Sequence, residues 1–191
     1  MNFSEYYYTK TLLEIKIEIL DKNNKENVLK IAEWCFNEWK NEYNNMNSIN
    51  DYINYLNDEK MCYYTFIAID TKNKNICGTI SIVKKDINSM YTLEPFITSL
   101  FIDKPYRRIG MSELLVNYCI YYIQQNTKYS NIYLQTTDKY LSFYLKRLFE
   151  IIYKIKNTDT DTENDKNKII MAYNYETKVY NMLHNYLNKS I

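Results

Sequence analysis

Arginine and glycine are scarce in this 191-residue chain, which holds three arginines and two glycines. Two of those arginines and one glycine fall in a single run, Lys104-Pro105-Tyr106-Arg107-Arg108-Ile109-Gly110-Met111-Ser112. The apolar stretch Leu100-Phe101-Ile102 leads into it. Met111, Leu114, Leu115, Tyr118, Cys119 and Tyr122 then follow at a spacing that predicts a helix from Arg108 to Gln125. A strand turning into a helix in this way aims the helix's unpaired N–H groups, and the positive end of its dipole, at the turn. Such a terminus holds anions, and guanidinium groups beside it suit a ligand with several phosphates. Gly110 gives clearance there, because a Cβ would obstruct a phosphate oxygen approaching the backbone.

A second segment with chemical potential is Leu141-Ser142-Phe143-Tyr144-Leu145-Lys146-Arg147-Leu148-Phe149, on an expected helix from Asp138 to Leu148. Its Tyr144 carries a phenol, which is neutral at pH 7.

These two segments together resemble the GCN5-related N-acetyltransferase (GNAT) superfamily. Its coenzyme signature is Arg/Gln-x-x-Gly-x-Gly/Ala, placed after a strand and opening a long helix. Arg107-Arg108-Ile109-Gly110-Met111-Ser112 matches it, with serine replacing the final small residue. The family's Phe-Tyr-x-x-x-Gly-Phe segment is matched by Phe143-Tyr144-Leu145-Lys146-Arg147-Leu148-Phe149, with Leu148 in place of glycine. A helix ending there is expected to do without the left-handed C-terminal cap that glycine provides.

The resemblance runs from Ile17 to Tyr175. It implies acetyl-CoA as cosubstrate, held by Arg107, Arg108, Ile109, Gly110, Met111 and Ser112 and by the strand residues Leu100, Phe101 and Ile102. A backbone N–H of that strand would meet the oxyanion, and Tyr144 would act as general acid toward the leaving thiolate. The acceptor implied is a primary amine: a small-molecule amine, an amino sugar or a peptide amine. An amine must lose its proton before it attacks, and Glu94 and Asp86 are candidate bases from position alone. The alternative, suggested by Ser112 and Leu148, is a degenerate module that binds acyl-CoA or a protein without turnover.

The elements that must position these residues alternate along the chain. Leu12–Leu20 reads as a strand, and Val28, Ile31, Ala32, Cys35, Phe36 and Trp39 draw the apolar stripe of a helix. Ser48 is an expected N-cap for a second helix carrying Ile49, Tyr52, Ile53 and Leu56. Tyr63–Asp70 and Ile76–Val83 form an expected hairpin, with further strands at Phe96–Asp103, Asn131–Gln135, Phe149–Ile155 and Ile169–Tyr175. Residues 157–168 hold no apolar side chain and read as a mobile polar loop, and 176–191 as a C-terminal helix. The expected architecture is α/β: a single domain over 1–191 with a mixed, largely antiparallel twisted sheet between helical layers, the three-layer fold of the resembled family.

Composition narrows the classes. Twenty-four basic against 23 acidic side chains leave a net charge of +1, which offers no broad footprint for a nucleic acid. No apolar run reaches the ~20 residues of a membrane span, and the first 20 residues mix charges among apolar positions, so a cytoplasmic protein is expected. Cys35, Cys62, Cys77 and Cys119 form no metal-ligand pattern, and the lone histidine, His184, makes a Ser-His-Asp or Cys-His hydrolase a poor reading. The partners expected are therefore acetyl-CoA and an amine, without metal, nucleic acid or membrane, in a monomer or homodimer.

Overall fold

The computed structural model describes residues 6–10, 13–40, 46–85, 93–155 and 168–175. In chain order these form β1 (Tyr6–Lys10), β2 (Leu13–Ile19), α1 (Lys25–Trp39), α2 (Ile49–Asn57), β3 (Cys62–Asp70), β4 (Ile76–Val83) and β5 (Phe96–Ile102). A 3-10 turn, Lys104–Tyr106, then precedes α3 (Met111–Asn126), β6 (Asn131–Thr137), α4 (Asp138–Leu145), β7 (Glu150–Ile155) and β8 (Lys168–Asn174). The expected polar loop, except Lys168, and the expected C-terminal helix lie outside the described residues, as does Asp86. Sequence reading assigned no element to β1, which pairs with β2 from Tyr6↔Ile17 to Lys10↔Leu13.

One eight-stranded mixed sheet runs β1-β2-β3-β4-β5-β6-β8-β7, antiparallel throughout except between β5 and β6. Side chains alternate across its two faces, so Phe66 and Ile67 enter different cores. On one face Val28, Ile31, Ala32 and Cys35 of α1 and Tyr52 and Leu56 of α2 cover Ile67, Val83 and Phe96. On the other, Met111, Leu114, Leu115, Tyr118 and Cys119 of α3 cover Phe66, Ile80 and Ile97, with Leu141, Phe143 and Tyr144 of α4 packed alongside. Being covered on both sides, β4 is buried at every residue, which is why Ile76–Val83 reads as a near-continuous apolar run.

Local chemistry sets the helix ends. Ser48 caps α2 with a reciprocal capping box, its hydroxyl accepting from the Asp51 N–H while the Asp51 carboxylate accepts from the Ser48 N–H. The signature helix begins at Met111 rather than at Arg108, because Arg108 (φ 65°) and Gly110 (φ 89°) are left-handed and cannot continue a helix. The helix expected to end at Leu148 stops at Leu145. Leu148 nevertheless takes the left-handed conformation (φ 65°), and the Phe149 N–H bonds the Tyr144 carbonyl at 3.2 Å. The cap expected to be missing is thus formed by leucine, at the ~1–2 kcal/mol such a backbone costs an L-residue.

The second glycine answers to packing. A Cβ on Gly78 would stand 2.8 Å from Ile102 Cδ1, 3.0 Å from the Phe101 carbonyl oxygen and 3.2 Å from Leu115 Cδ1. Its absence lets β5 and α3 close onto β4 immediately behind the phosphate-binding candidates. Among the described residues no helix is long and apolar enough to cross a membrane.

Candidate active site

The sheet parts at β5 and β6. Their parallel pairing holds only near the start of β5, at Phe96↔Tyr133 with the Tyr133 N–H bonded to the Pro95 carbonyl at 2.9 Å. Beyond it, the C-terminal halves of both strands carry no mutual ladder, so a slot opens toward the end of β5 that runs into Lys104–Ser112. Backbone donors face that end. Leu114 is the first amide of α3 to close a helical bond, onto the Gly110 carbonyl at 3.0 Å, and the residues from Arg108 to Glu113 precede it. Gly110 is doubly suited to its place, since its φ of 89° favours a residue without Cβ.

The cations are divided in role. Arg107 turns back, donating from Nε to the Ile102 carbonyl at 2.7 Å and lying 5.4 Å over the Phe101 ring. It braces the loop. Arg107 is itself exposed, as are Arg108 and Lys104.

Within the slot wall β5 carries a bulge. Ser81 pairs with Thr98 and Thr79 with Phe101, so three steps on β5 oppose two on β4, and Ser99 sits at φ 55°. The extra residue shifts the alternation: Ile97 faces the α3 layer before it, Leu100 and Ile102 after it. A bulge also frees backbone groups from the ladder, here beside Leu100.

Leu100, Ile109 and Tyr144 all border the α3-side core, so the structure brings strand, loop and phenol candidates to one layer. Desolvation pushes the Tyr144 hydroxyl up to about 12, with Tyr140 adding to the rise and the Arg147 charge opposing it. Arg147 is the third arginine, and sequence reasoning missed it although its rarity was a signal. Its guanidinium stacks 3.6 Å from the Phe143 ring, donates to the Phe143 carbonyl at 2.6 Å and pairs with Glu113 of α3 at 2.9 Å. That ties the end of α4 to the first turn of α3. An open cleft of about 330 Å³ continues from there, between Glu113, Asn117 and Ile120 on one side and Lys146, Arg147 and Tyr173 on the other.

Glu94 lies elsewhere. It precedes Pro95 at the closed end of the β5–β6 pair, separated from Asp103 by the length of β5, about 20 Å. Its Oε1 accepts from the Tyr129 hydroxyl at 2.5 Å and from the Tyr63 hydroxyl. Those two bonds, Tyr129 first, hold the carboxyl below its usual range, and the Lys84 charge adds to the effect. This makes Glu94 a weaker base, joined to β3 and to the loop before β6 rather than to the phosphate-loop candidates. All four cysteines are buried thiols, and burial pushes Cys35 and Cys77 up to about 12.

A strand leading through a left-handed glycine turn into a helix, beside a parted pair of parallel strands, defines a family. The profile described as the acetyltransferase (GNAT) family matches residues 26–149, and the chain belongs to that family. No curated protein matches the chain. Solved structures resemble it at low identity, which bears on the fold. The spermidine/spermine N-acetyltransferase SpeG of Vibrio cholerae aligns with TM-score 0.64 and 14% identity over 93% of this chain and 98% of its own. The ribosomal-protein-S5-alanine acetyltransferase of Vibrio fischeri aligns with TM-score 0.60 and 12% identity over 89% and 97%. A NatC complex bound to Gag peptide and CoA aligns with TM-score 0.63 and 22% identity over 84% and 98%.

Proposed function

We propose that the protein is an N-acetyltransferase that carries an acetyl group from acetyl-CoA to a primary amine. The observation that carries this reading is the junction of the parted β5–β6 slot with the left-handed Gly110 turn at the head of α3. The donor set fits a diphosphate: backbone amides ahead of Leu114, the exposed Arg108 and Lys104, and small Ser112 beside them. In this reading Arg107, Arg108, Ile109, Gly110, Met111 and Ser112 hold the pyrophosphate, while Leu100, Phe101 and Ile102 line the slot for the pantetheine arm. A backbone N–H at the β5 bulge meets the carbonyl oxygen as charge develops on it. The neutral amine attacks the thioester carbon, the C–S bond breaks as the C–N bond forms, Tyr144 donates its proton to the leaving sulfur, and the proton shed by the nitrogen returns through solvent to the Tyr144 oxygen. A phenol raised by burial stays protonated throughout the neutral range, as a donor must.

The acceptor belongs to the amines as a class. Structural neighbours include a spermidine/spermine N-acetyltransferase and a ribosomal-protein-S5-alanine acetyltransferase, which supports small polycations and protein amines alike as candidates. The reading as a module without turnover loses one of its two supports, since Leu148 adopts the cap conformation of the glycine it replaces. The test is release of free CoA thiol from acetyl-CoA by the purified protein across polyamines, amino sugars and N-terminal peptides. Amine-dependent release is expected. CoA binding in calorimetry without release on any acceptor would favour the binding module, and absence of CoA binding would overturn the reading.

A further inference from the structure

The β3–β4 turn reaches the phosphate loop through a buried carboxylate that no step of the proposed reaction uses. Asp70, the last residue of β3, is 3% exposed. Its Oδ1 accepts from the Lys72 N–H at 3.0 Å, and its Oδ2 from the Asn73 side-chain amide at 2.9 Å. Those bonds already tie the carboxylate to its own turn. It takes one more, from the Tyr106 hydroxyl at 3.1 Å, 36 residues along the chain. Asn73 also donates to the Tyr106 oxygen at 3.0 Å, closing a triangle among Asp70, Asn73 and Tyr106.

Tyr106 ends the 3-10 turn and immediately precedes Arg107. The same stretch is pinned by its backbone. The Asp103 N–H bonds the Cys77 carbonyl at 3.0 Å, and the Tyr106 N–H bonds the Asp103 carbonyl at 2.9 Å. Past Tyr106 the chain enters Arg108 and Gly110, both left-handed. A non-glycine residue in that conformation persists where its surroundings impose it. With the Arg107 bond to the Ile102 carbonyl, the triangle anchors the chain just before that stretch, and it does so from a different hairpin.

We propose that Asp70 and Asn73 act through the Tyr106 hydroxyl as a latch that presets the phosphate loop, so that the β3–β4 turn positions the site for acetyl-CoA. The proposal rests on the acetyltransferase reading. Without the latch the loop samples conformers that do not bind, and apparent affinity falls in proportion to the competent fraction. Chemistry at saturating coenzyme is untouched, since Tyr106, Asp70 and Asn73 reach no reacting atom.

The experiment compares wild type, Tyr106→Phe, Asn73→Ala and the double variant by calorimetry with CoA and by steady-state kinetics. Tyr106→Phe keeps the ring, and Asn73 is exposed, so both variants are expected to fold, which near-native thermal midpoints check. Expected is a rise of about tenfold in Kd and in KM for acetyl-CoA for Tyr106→Phe and a smaller rise for Asn73→Ala. Turnover at saturation should stay within twofold, the KM for the amine should not move, and the double variant should bind no more weakly than Tyr106→Phe. Unchanged CoA affinity in a folded Tyr106→Phe overturns the latch and leaves the acetyltransferase reading standing. So do losses that add fully in the double variant, or losses in turnover alone. Failure of wild type to bind CoA overturns the functional reading and the latch with it.

Discussion

The two ends of β5 do opposite things. At Phe96 the strand is closed, paired with Tyr133 and bracketed by Glu94, whose carboxylate accepts hydrogen bonds from the Tyr63 and Tyr129 hydroxyls. At Ile102 it is open, with no ladder to β6 and a loop that turns through Arg108 and Gly110 before α3 begins. One end spends its polar groups on each other, and the other holds backbone donors ahead of Leu114. The contrast teaches that a carboxylate's neighbours define its work: Glu94, a candidate base by position, has its carboxylate held by two phenols at the closed end of the β5–β6 pair.

The largest effect that would sharpen this contrast is expected from Tyr144, on the open side. Tyr144→Phe should lower turnover by about two to four orders of magnitude, with acetyl-CoA affinity within about threefold. A fall below about threefold, with chemistry rate-limiting, would make Tyr144 a packing residue. Because burial raises the phenol to about 12, its protonated form persists as pH rises, and it is lost only near that value. Wild-type turnover should therefore show no alkaline decline from this group below about pH 10, and a decline that Tyr144→Phe abolishes would contradict the assignment.

A smaller effect is expected at the loop. Gly110→Ala places a Cβ on a backbone at φ 89°, costing about 1–2 kcal/mol and about 2–8 °C in thermal midpoint. CoA affinity should fall by about tenfold or more in the folded variant. Undiminished binding would put the phosphate site away from α3.

The smallest effect on turnover is expected at the closed end. Glu94→Gln should change kcat by less than about threefold while lowering stability by about 1 kcal/mol, or 2–4 °C. Glu94 has a depressed carboxyl in the fold, so its contribution is present above the unfolded value near 4.3 and fades as pH falls through the lower folded one. The difference in melting between the two proteins should therefore shrink as pH falls below the unfolded value. A collapse in turnover at unchanged stability would restore Glu94 as the general base and break the comparison.

Most elements were legible because their signals are local. The stripe from Val28 to Trp39, the Ser48 cap, the apolar run of β4 and the glycine turn before α3 each lie within about a dozen residues of chain. Periodicity and capping act over that range. The phosphate-loop candidates were legible for the same reason, since three scarce residues stand within four positions. The partners of Glu94 were not, being 31 and 35 residues away on other elements, and nothing in their spacing marks them. The Asp70–Tyr106 bond spans 36 residues and was equally hidden.

By itself, then, the sequence determined the family, the order of the strands and helices from β2 onward, and a candidate segment for a polyanionic ligand. Short-range sterics and hydrogen bonding dictate those. Only the tertiary structure decided where β5 and β6 part, that Arg107 turns back onto the Ile102 carbonyl, that Leu148 takes a glycine's conformation, and that the Glu94 carboxylate accepts from Tyr63 and Tyr129. Each of these depends on atoms distant in sequence coming within hydrogen-bonding or packing distance, which the folded sheet arranges and no local pattern records.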